Sequence, residues 1–245
     1  MRPFDLEKMR KACRAAAETL RVAGQAVRPG ITTDELNRIV HNDTVRRGGY
    51  PAPLNYRGFP KSVCTSVNDV VCHGIPGKLV LQEGDTVNVD VTTIIDGHFG
   101  DTNATFLVGE VDPKVKHLVA LTEQAMYAGI ANIRPGMLLN DVGRVIQAMA
   151  FAHGYGVVKE FGGHGIGTRF HTAPHVCHYD SGDELILQPG MVFTVEPMVN
   201  MGSPDIYLES DGWTVRTSDG KPSAQFEHTC LVGLEHGVEV LTRLQ

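Results

Sequence analysis

Asp90 sits within, and Asp101 closes, VNVDVTTIIDGHFGD (87–101), a stretch whose valines and isoleucines otherwise ask for a buried strand. Aspartate is depleted in strands, and a carboxylate buried among apolar side chains carries a large desolvation penalty unless a counter-charge meets it. Asp96-Gly97 marks a two-residue hairpin turn between the apolar run and HFGDTNATFLVG. With that turn, Ile95 faces His98 and Thr92 faces Asp101. Asp90 lies two residues from Thr92 and so shares its face, which makes the two carboxylates diagonal neighbours with Cα atoms about 7–8 Å apart. Both side chains then reach one ion; a register slip of one residue would send them to opposite faces.

An internal repeat adds two more acids. Val27-Arg28-Pro29-Gly30 recurs as Ile133-Arg134-Pro135-Gly136, and LVLQEGDTVNVD (79–90) recurs as LILQPGMVFTVE (185–196). Both blocks share the offset 133 − 27 = 185 − 79 = 106, which puts Glu196 in the place of Asp90. Glu227 in FEHTCLVG precedes a Leu-Val-Gly like Leu107-Val108-Gly109, so it matches the strand that carries Asp101. A single aspartate in such a place reads as a turn cap or an ion-pair partner. Four carboxylates at repeat-equivalent places in one apolar seam would repel strongly, and a pair of divalent metal ions is the natural counter-charge. Carboxylate-bridged ion pairs about 3.5–4 Å apart recur in hydrolytic enzymes.

The stretch FGGHGIGTRFHTAPHVCH (161–178) supplies histidines. Its glycines let backbone approach a ligand closely, and His164 at their centre is a candidate imidazole ligand. His171 falls outside HExxH spacing and suits a role beside the metals, donating to a substrate carbonyl or leaving group. His73-Gly74-Ile75 echoes His164-Gly165-Ile166 and places His73 across the seam, with a satisfied core histidine as its alternative. His171, His175, Cys177 and His178 suggest zinc by composition, yet strand alternation would put His175 and Cys177 on one face and His178 on the other. Cys64 has no local base to make it a nucleophile and reads as a packing or pocket thiol.

The elements that must position these residues repeat as well. Leu6, Met9, Cys13, Ala16, Leu20 and Ala23 form one stripe of a helix over 4–27, stopped by Arg28-Pro29-Gly30. Thr32 to Glu35 offers a capping box for a second helix ending at Gly48-Gly49. Asp112-Pro113 opens a helix to about Ile133, and Asn140 is expected to cap another running to Gly154. Strands follow each helix pair, giving two α+β halves, roughly 4–110 and 112–234, in one pseudo-symmetric domain over 1–245 with a site in the seam.

The chain has 245 residues, 42% of them hydrophobic, and a formal charge of −6 without a basic run, which argues against a nucleic-acid partner. No stretch nears the roughly 18 apolar residues of a membrane span. MRPFDLEKMRKACRAAAETL is charged throughout, unlike a secretory or mitochondrial leader, and the five cysteines form no CxxC. A cytoplasmic location is expected.

VCHGIP, VNVDVT, GDTNATF, GGHGIGTRFH, FTVEPM and SAQFEHT, in this order and over nearly the whole chain, resemble the type I methionine aminopeptidases. The resemblance implies the pita-bread fold, two halves about a pseudo-twofold axis with a curved antiparallel sheet covered by helices. It implies that Asp90 chelates one metal ion, Asp101 and Glu227 bridge two, and His164 with Glu196 hold the second. Manganese, iron, cobalt and zinc all suit that donor set. His73 and His171 would contact substrate beside the scissile bond, and Tyr56, Phe59, Cys64, Phe170 and Trp213 would line a methionine pocket. Pro53 stands where a cysteine is common in the family. The implied activity is removal of the initiator methionine ahead of a small second residue, by hydrolysis with metal-activated water and with Glu196 relaying the proton. The implied partners are nascent polypeptide N-termini, met transiently at the ribosome by a monomer. Only residues 172–195 separate His171 from Glu196, too few for the helical insert of type II enzymes. A proline-specific aminopeptidase or dipeptidase, which usually carries a further N-terminal domain, is the nearest rival. A non-catalytic homologue would be expected to lose ligands, and all five are present.

Overall fold

The computed structural model describes residues 5–233, 235 and 237–244; residues 4 and 234, the outer limits of the expected repeat, lie outside the described residues. The first half runs α1 (Leu6–Ala26), α2 (Thr33–Arg46), β1 (Tyr50–Pro51), β2 (Cys64–Val67), β3 (Val70–Cys72), β4 (Thr86–Ile95) and β5 (His98–Leu107). The second runs α3 (Pro113–Ile130), α4 (Asn140–Ala152), β6 (Gly156–Val157), β7 (Gly163–Gly165), β8 (Thr172–Val176), β9 (Val192–Val195), β10 (Met198–Asn200), β11 (Ile206–Leu208), β12 (Val215–Thr217), β13 (Ser223–Gln225), β14 (Glu227–Val232) and β15 (Val238–Val240).

A nine-stranded sheet follows the order β1-β4-β5-β14-β9-β7-β8, with β2 also on β4 and β15 on β14. The halves meet where β5 pairs with β14. Two small sheets, β13-β10-β6 and β11-β12-β3, flank it.

Strand alternation explains why helices cover one face only. Val87, Val89 and Val91 of β4 are fully buried against Ala16, Leu20, Leu36 and Val40 of α1 and α2. In the second half Phe193, Val195, Cys230 and Val232 pack against Leu118, Met126 and Ile146 of α3 and α4. Each such side chain contributes about 1.5–3 kcal/mol on full burial. Asn88, Asp90 and Thr92 necessarily point the other way, toward the concave face, where Asn88 Nδ2 donates to Gln225 O of β13 at 2.9 Å. Gly100 lets α1 ride directly on β5, since a Cβ there would lie 2.4 Å from the backbone of Ala12 and Cys13.

The repeat is visible bond by bond. Gly30 N donates to Leu81 O at 2.8 Å, and Gly136 N to Leu187 O at 2.9 Å. Leu81 N to Ile31 O and Leu187 N to Met137 O, both 2.8 Å, follow the same 106-residue offset. So do the isolated bridges Thr32–Val80 and Leu138–Ile186.

Helix limits differ from expectation at the caps. Asp5, unnoticed in the sequence, accepts from Glu7 N and Lys8 N and starts α1. The Thr32–Glu35 capping box forms, and Asp112 caps α3 by accepting from Lys114 N. Asn140 does not cap α4: Leu139 holds the cap position, without a side-chain bond. The Asn140 amide is drawn instead to the loop after β8, donating to Asp180 Oδ1 at 2.8 Å and accepting from Ser181 N at 2.9 Å. α3 stops at Ile130 and α4 at Ala152, short of Ile133 and Gly154.

Candidate metal centre and its pocket

The β4–β5 ladder has the register read from the Asp-Gly turn: Ile95 pairs with His98, Thr92 with Asp101 and Asp90 with Asn103. The Asp90 and Asp101 side chains therefore share the concave face. Glu227 is the first residue of β14, opposite Asn103. His164 is central in β7, and Glu196 sits one residue past the end of β9. His164 Nε2 lies 3.5 Å from Asp101 Oδ2 and 3.6 Å from Glu196 Oε1. One donor atom each from Asp101, His164 and Glu227 falls within 4.8 Å of the others.

Neighbouring donors hold one oxygen on several of these acids and leave another. Thr92 Oγ1 donates to Asp101 Oδ1 (2.7 Å), Asn103 Nδ2 to Glu227 Oε2 (2.8 Å) and Thr194 Oγ1 to Glu196 Oε1 (2.6 Å). Gln225 Nε2 reaches Glu196 Oε2 at 3.3 Å. Asp90 Oδ1 and Glu227 Oε1 are buried without any partner. Orphaned buried carboxylate oxygens are costly. Oxygen donors with one imidazole, aimed at one spot, fit hard to borderline divalent cations.

A cavity of about 380 Å³ opens onto this cluster, and all five of these side chains line it. Tyr56, Phe59, Cys64, His73, Phe170, His171 and Trp213 line it too, together with Pro53. Phe59 and Trp213 meet edge to face at 5.1 Å, and the His171 ring stands 4.2 Å from that of His164. Tyr56 Oη is 3.0 Å from His171 Nδ1. The volume lies within the range usual for small-ligand pockets.

The chain matches metallopeptidase family M24 over residues 7–233. It is 54% identical to methionine aminopeptidase 2 of Mycobacterium tuberculosis over 99% of this chain and 85% of that one. The chain belongs to metallopeptidase family M24. It is 50% identical to the Rickettsia prowazekii methionine aminopeptidase over 97% of this chain and 92% of the other. The crystal structure of methionine aminopeptidase from that organism superposes with a TM-score of 0.95 at 48% identity, covering 99% of this chain and all of its own. The Thermotoga maritima methionine aminopeptidase structure gives 0.96 at 37% identity, covering 100% and 98%. These matches show the pita-bread fold of M24. A Pyrococcus furiosus prolidase, at 21% identity and a TM-score of 0.78, shares the fold.

Electrostatics within this M24 cavity follow from crowding. Burial, then the charges of Asp101 and Glu196, push Asp90 well above the usual carboxylate range. Burial and the same two neighbours do so to Glu227. Burial also raises Glu196, to about 7, with the His164 charge and the Thr194 bond opposing it. Burial would lower His164, yet the Asp101 contact and the charge on Glu196 lift it to about 9. Burial and the His164 charge push His171 down to about 4, so it is neutral near pH 7. Burial lowers His73 and raises the Cys64 thiol well above its ordinary value.

The four-residue zinc reading of His171, His175, Cys177 and His178 finds no support. β8 ends at Val176, and among the described residues only Asp101, His164 and Glu227 form a group with metal-ligand spacing. His178 instead is buried with its Nε2 3.0 Å from Glu196 N. Burial, with His175 nearby, pushes it down to about 3. Sequence reading missed Phe161 and Met198, which line the cavity, and the supporting donors Thr92, Asn103, Thr194 and Gln225. Period-two alternation held a usable signal: Asn103 lies two residues from Asp101, and Thr194 two from Glu196.

Proposed function

We propose that the chain removes methionine from the N-terminus of nascent polypeptides, preferring a small second residue. Two divalent metal ions would be held by Asp90, Asp101, His164, Glu196 and Glu227, with Asp101 and Glu227 between them. The observation that carries this reading is the cavity itself, walled by aromatic rings and closed at one end by five potential ligands. An unbranched thioether suits walls of aromatic rings and a thiol.

Divalent ions held there would supply a water with its pKa lowered from 15.7 toward about 7 and Lewis-acid polarisation of the scissile carbonyl. Glu196, oriented by Thr194 and Gln225, is placed to take a proton from the attacking water and pass it to the leaving amine as the C–N bond breaks. If Tyr56 Oη donates to Nδ1 of His171, 3.0 Å away, the proton of the neutral ring stands on Nε2, from which it would be donated to the carbonyl oxygen. His73 faces the substrate from the Trp213 side of the cavity, where its ring meets that of Trp213 at 6.2 Å. The first side chain fills the aromatic pocket, and the second must lie beside the acids, where bulk is disfavoured.

Hydrolysis of Met-Ala-Ser, measured against Ala-Pro peptides with and without EDTA, tests this. Release of methionine that stops with EDTA and returns with Mn²⁺ is the expected result. Preferential cleavage of Ala-Pro, or activity indifferent to EDTA, would overturn it.

A further inference from the structure

We infer that His178 is a positioning residue for Glu196, holding the backbone of that acid so that its carboxylate faces the proposed metal centre; this rests on the metal reading above. The duplicated halves treat their matching acids differently. Asp90 lies inside β4, flanked by Cys64 on β2 and Asn103 on β5, so ladders on both sides fix its backbone. Glu196 lies beyond the last residue of β9, and the next residue, Pro197, has no N–H to donate. Its own amide is the last donor before that gap.

A buried amide needs a partner. His178 provides it from the far side of β7, just after β8, with Nε2 3.0 Å from Glu196 N. Because the amide donates, Nε2 is bare and the proton sits on Nδ1. The ring is 1% exposed and so is fixed in place. Thr194 and Gln225 then orient the carboxylate, 3.6 Å from His164 Nε2. The imidazole thus stands in the second half where the first half has a strand. A group that fixes a ligand without touching the ion commonly affects metal affinity 10- to 100-fold.

Calorimetric titration of Mn²⁺ into metal-free wild type, His178→Leu and His178→Gln tests the assignment, with circular dichroism to verify folding. His178→Leu fills the space without an acceptor, and about a 10- to 100-fold loss of Mn²⁺ affinity is expected. His178→Gln keeps an acceptor and should stay within about threefold of wild type. Wild-type affinity in His178→Leu, or equal losses in both variants, would overturn the assignment. Failure of wild type to bind Mn²⁺ would instead strike the metal reading itself. A second test needs no substitution: a scalar coupling across the hydrogen bond, between Glu196 N and His178 Nε2, is expected in metal-free protein. Its absence would also overturn the assignment.

Discussion

Asp101 and His164 come from opposite halves of the duplicated chain, and their side chains meet at 3.5 Å. Asp101 also contributes to the upward shift of both Asp90 and Glu227. Asp101→Asn removes one proposed metal-ligand oxygen together with the carboxylate that pairs with His164. Its stabilisation by Mn²⁺ should shrink, and kcat/KM for Met-Ala-Ser should fall at least 100-fold. Calorimetric melts in EDTA and in Mn²⁺, with peptide assays, provide the readout.

Glu196 sets a pH dependence for the metal-free protein. Its carboxyl titrates near 4.5 when unfolded and near 7 when folded, so between these values the folded chain holds more protons. The Glu196 contribution to stability must then fall as pH rises from about 4.5 to 7, while His171, His178 and His228, pushed down by burial, contribute in the opposite direction. Asp90 and Glu227 shift in the same direction as Glu196. Urea unfolding in EDTA at pH 5, 6 and 7 should show the wild-type midpoint declining relative to that of Glu196→Gln, and Mn²⁺ should flatten that relative decline.

His164 gives the complementary pH effect. Its raised value near 9 means that a metal must displace a proton from it at neutral pH. Apparent Mn²⁺ affinity should climb as pH rises from 6 toward 9, with proton release visible as a buffer-dependent binding enthalpy. His164→Ala should reduce that release, leaving the share contributed by the raised carboxyls of Asp90, Glu196 and Glu227.

The glycines around His164 are a steric requirement. A Cβ on Gly163 would stand 2.1 Å from Thr194 O, and one on Gly165 2.1 Å from Ala173 O. Backbone atoms cannot step aside cheaply, so Gly163→Ala and Gly165→Ala should each cost about 1–3 kcal/mol of stability. Activity should fall further, as His164 shifts from Asp101; denaturant titration and peptide assays separate the two effects.

Trp213 walls the pocket against Phe59 and His73. Trp213→Ala should raise KM for Met-Ala-Ser about tenfold or more, with kcat changed less, because the wall binds the first side chain away from the scissile bond. Steady-state kinetics would show the split.

The clustering of the acids was legible because its geometry follows from local rules. Asp96-Gly97 fixes a tight turn, the turn fixes register, and register carries Asp90 and Asp101 to one face. The 106-residue offset then extends the result to Glu196, and its bond-for-bond echo at Gly30 and Gly136 shows how faithful the repeat is. His178 escaped because it acts through the Glu196 amide, a contact between segments whose separation no sequence period encodes. The same holds for Asn140, whose amide answers to Asp180 and Ser181 and leaves α4 uncapped by a side chain. Phe161 and Met198 were hidden for a similar reason, since residues of their type more often fill a core than line a pocket.

The two-ion reading is tested most directly by diffraction from Mn²⁺-soaked crystals, with an anomalous difference map at the manganese edge. Two peaks about 3.5–4 Å apart are expected, with Asp101 and Glu227 reaching both, Asp90 on one side and His164 with Glu196 on the other. A single peak, or manganese bound away from these five side chains, would contradict it.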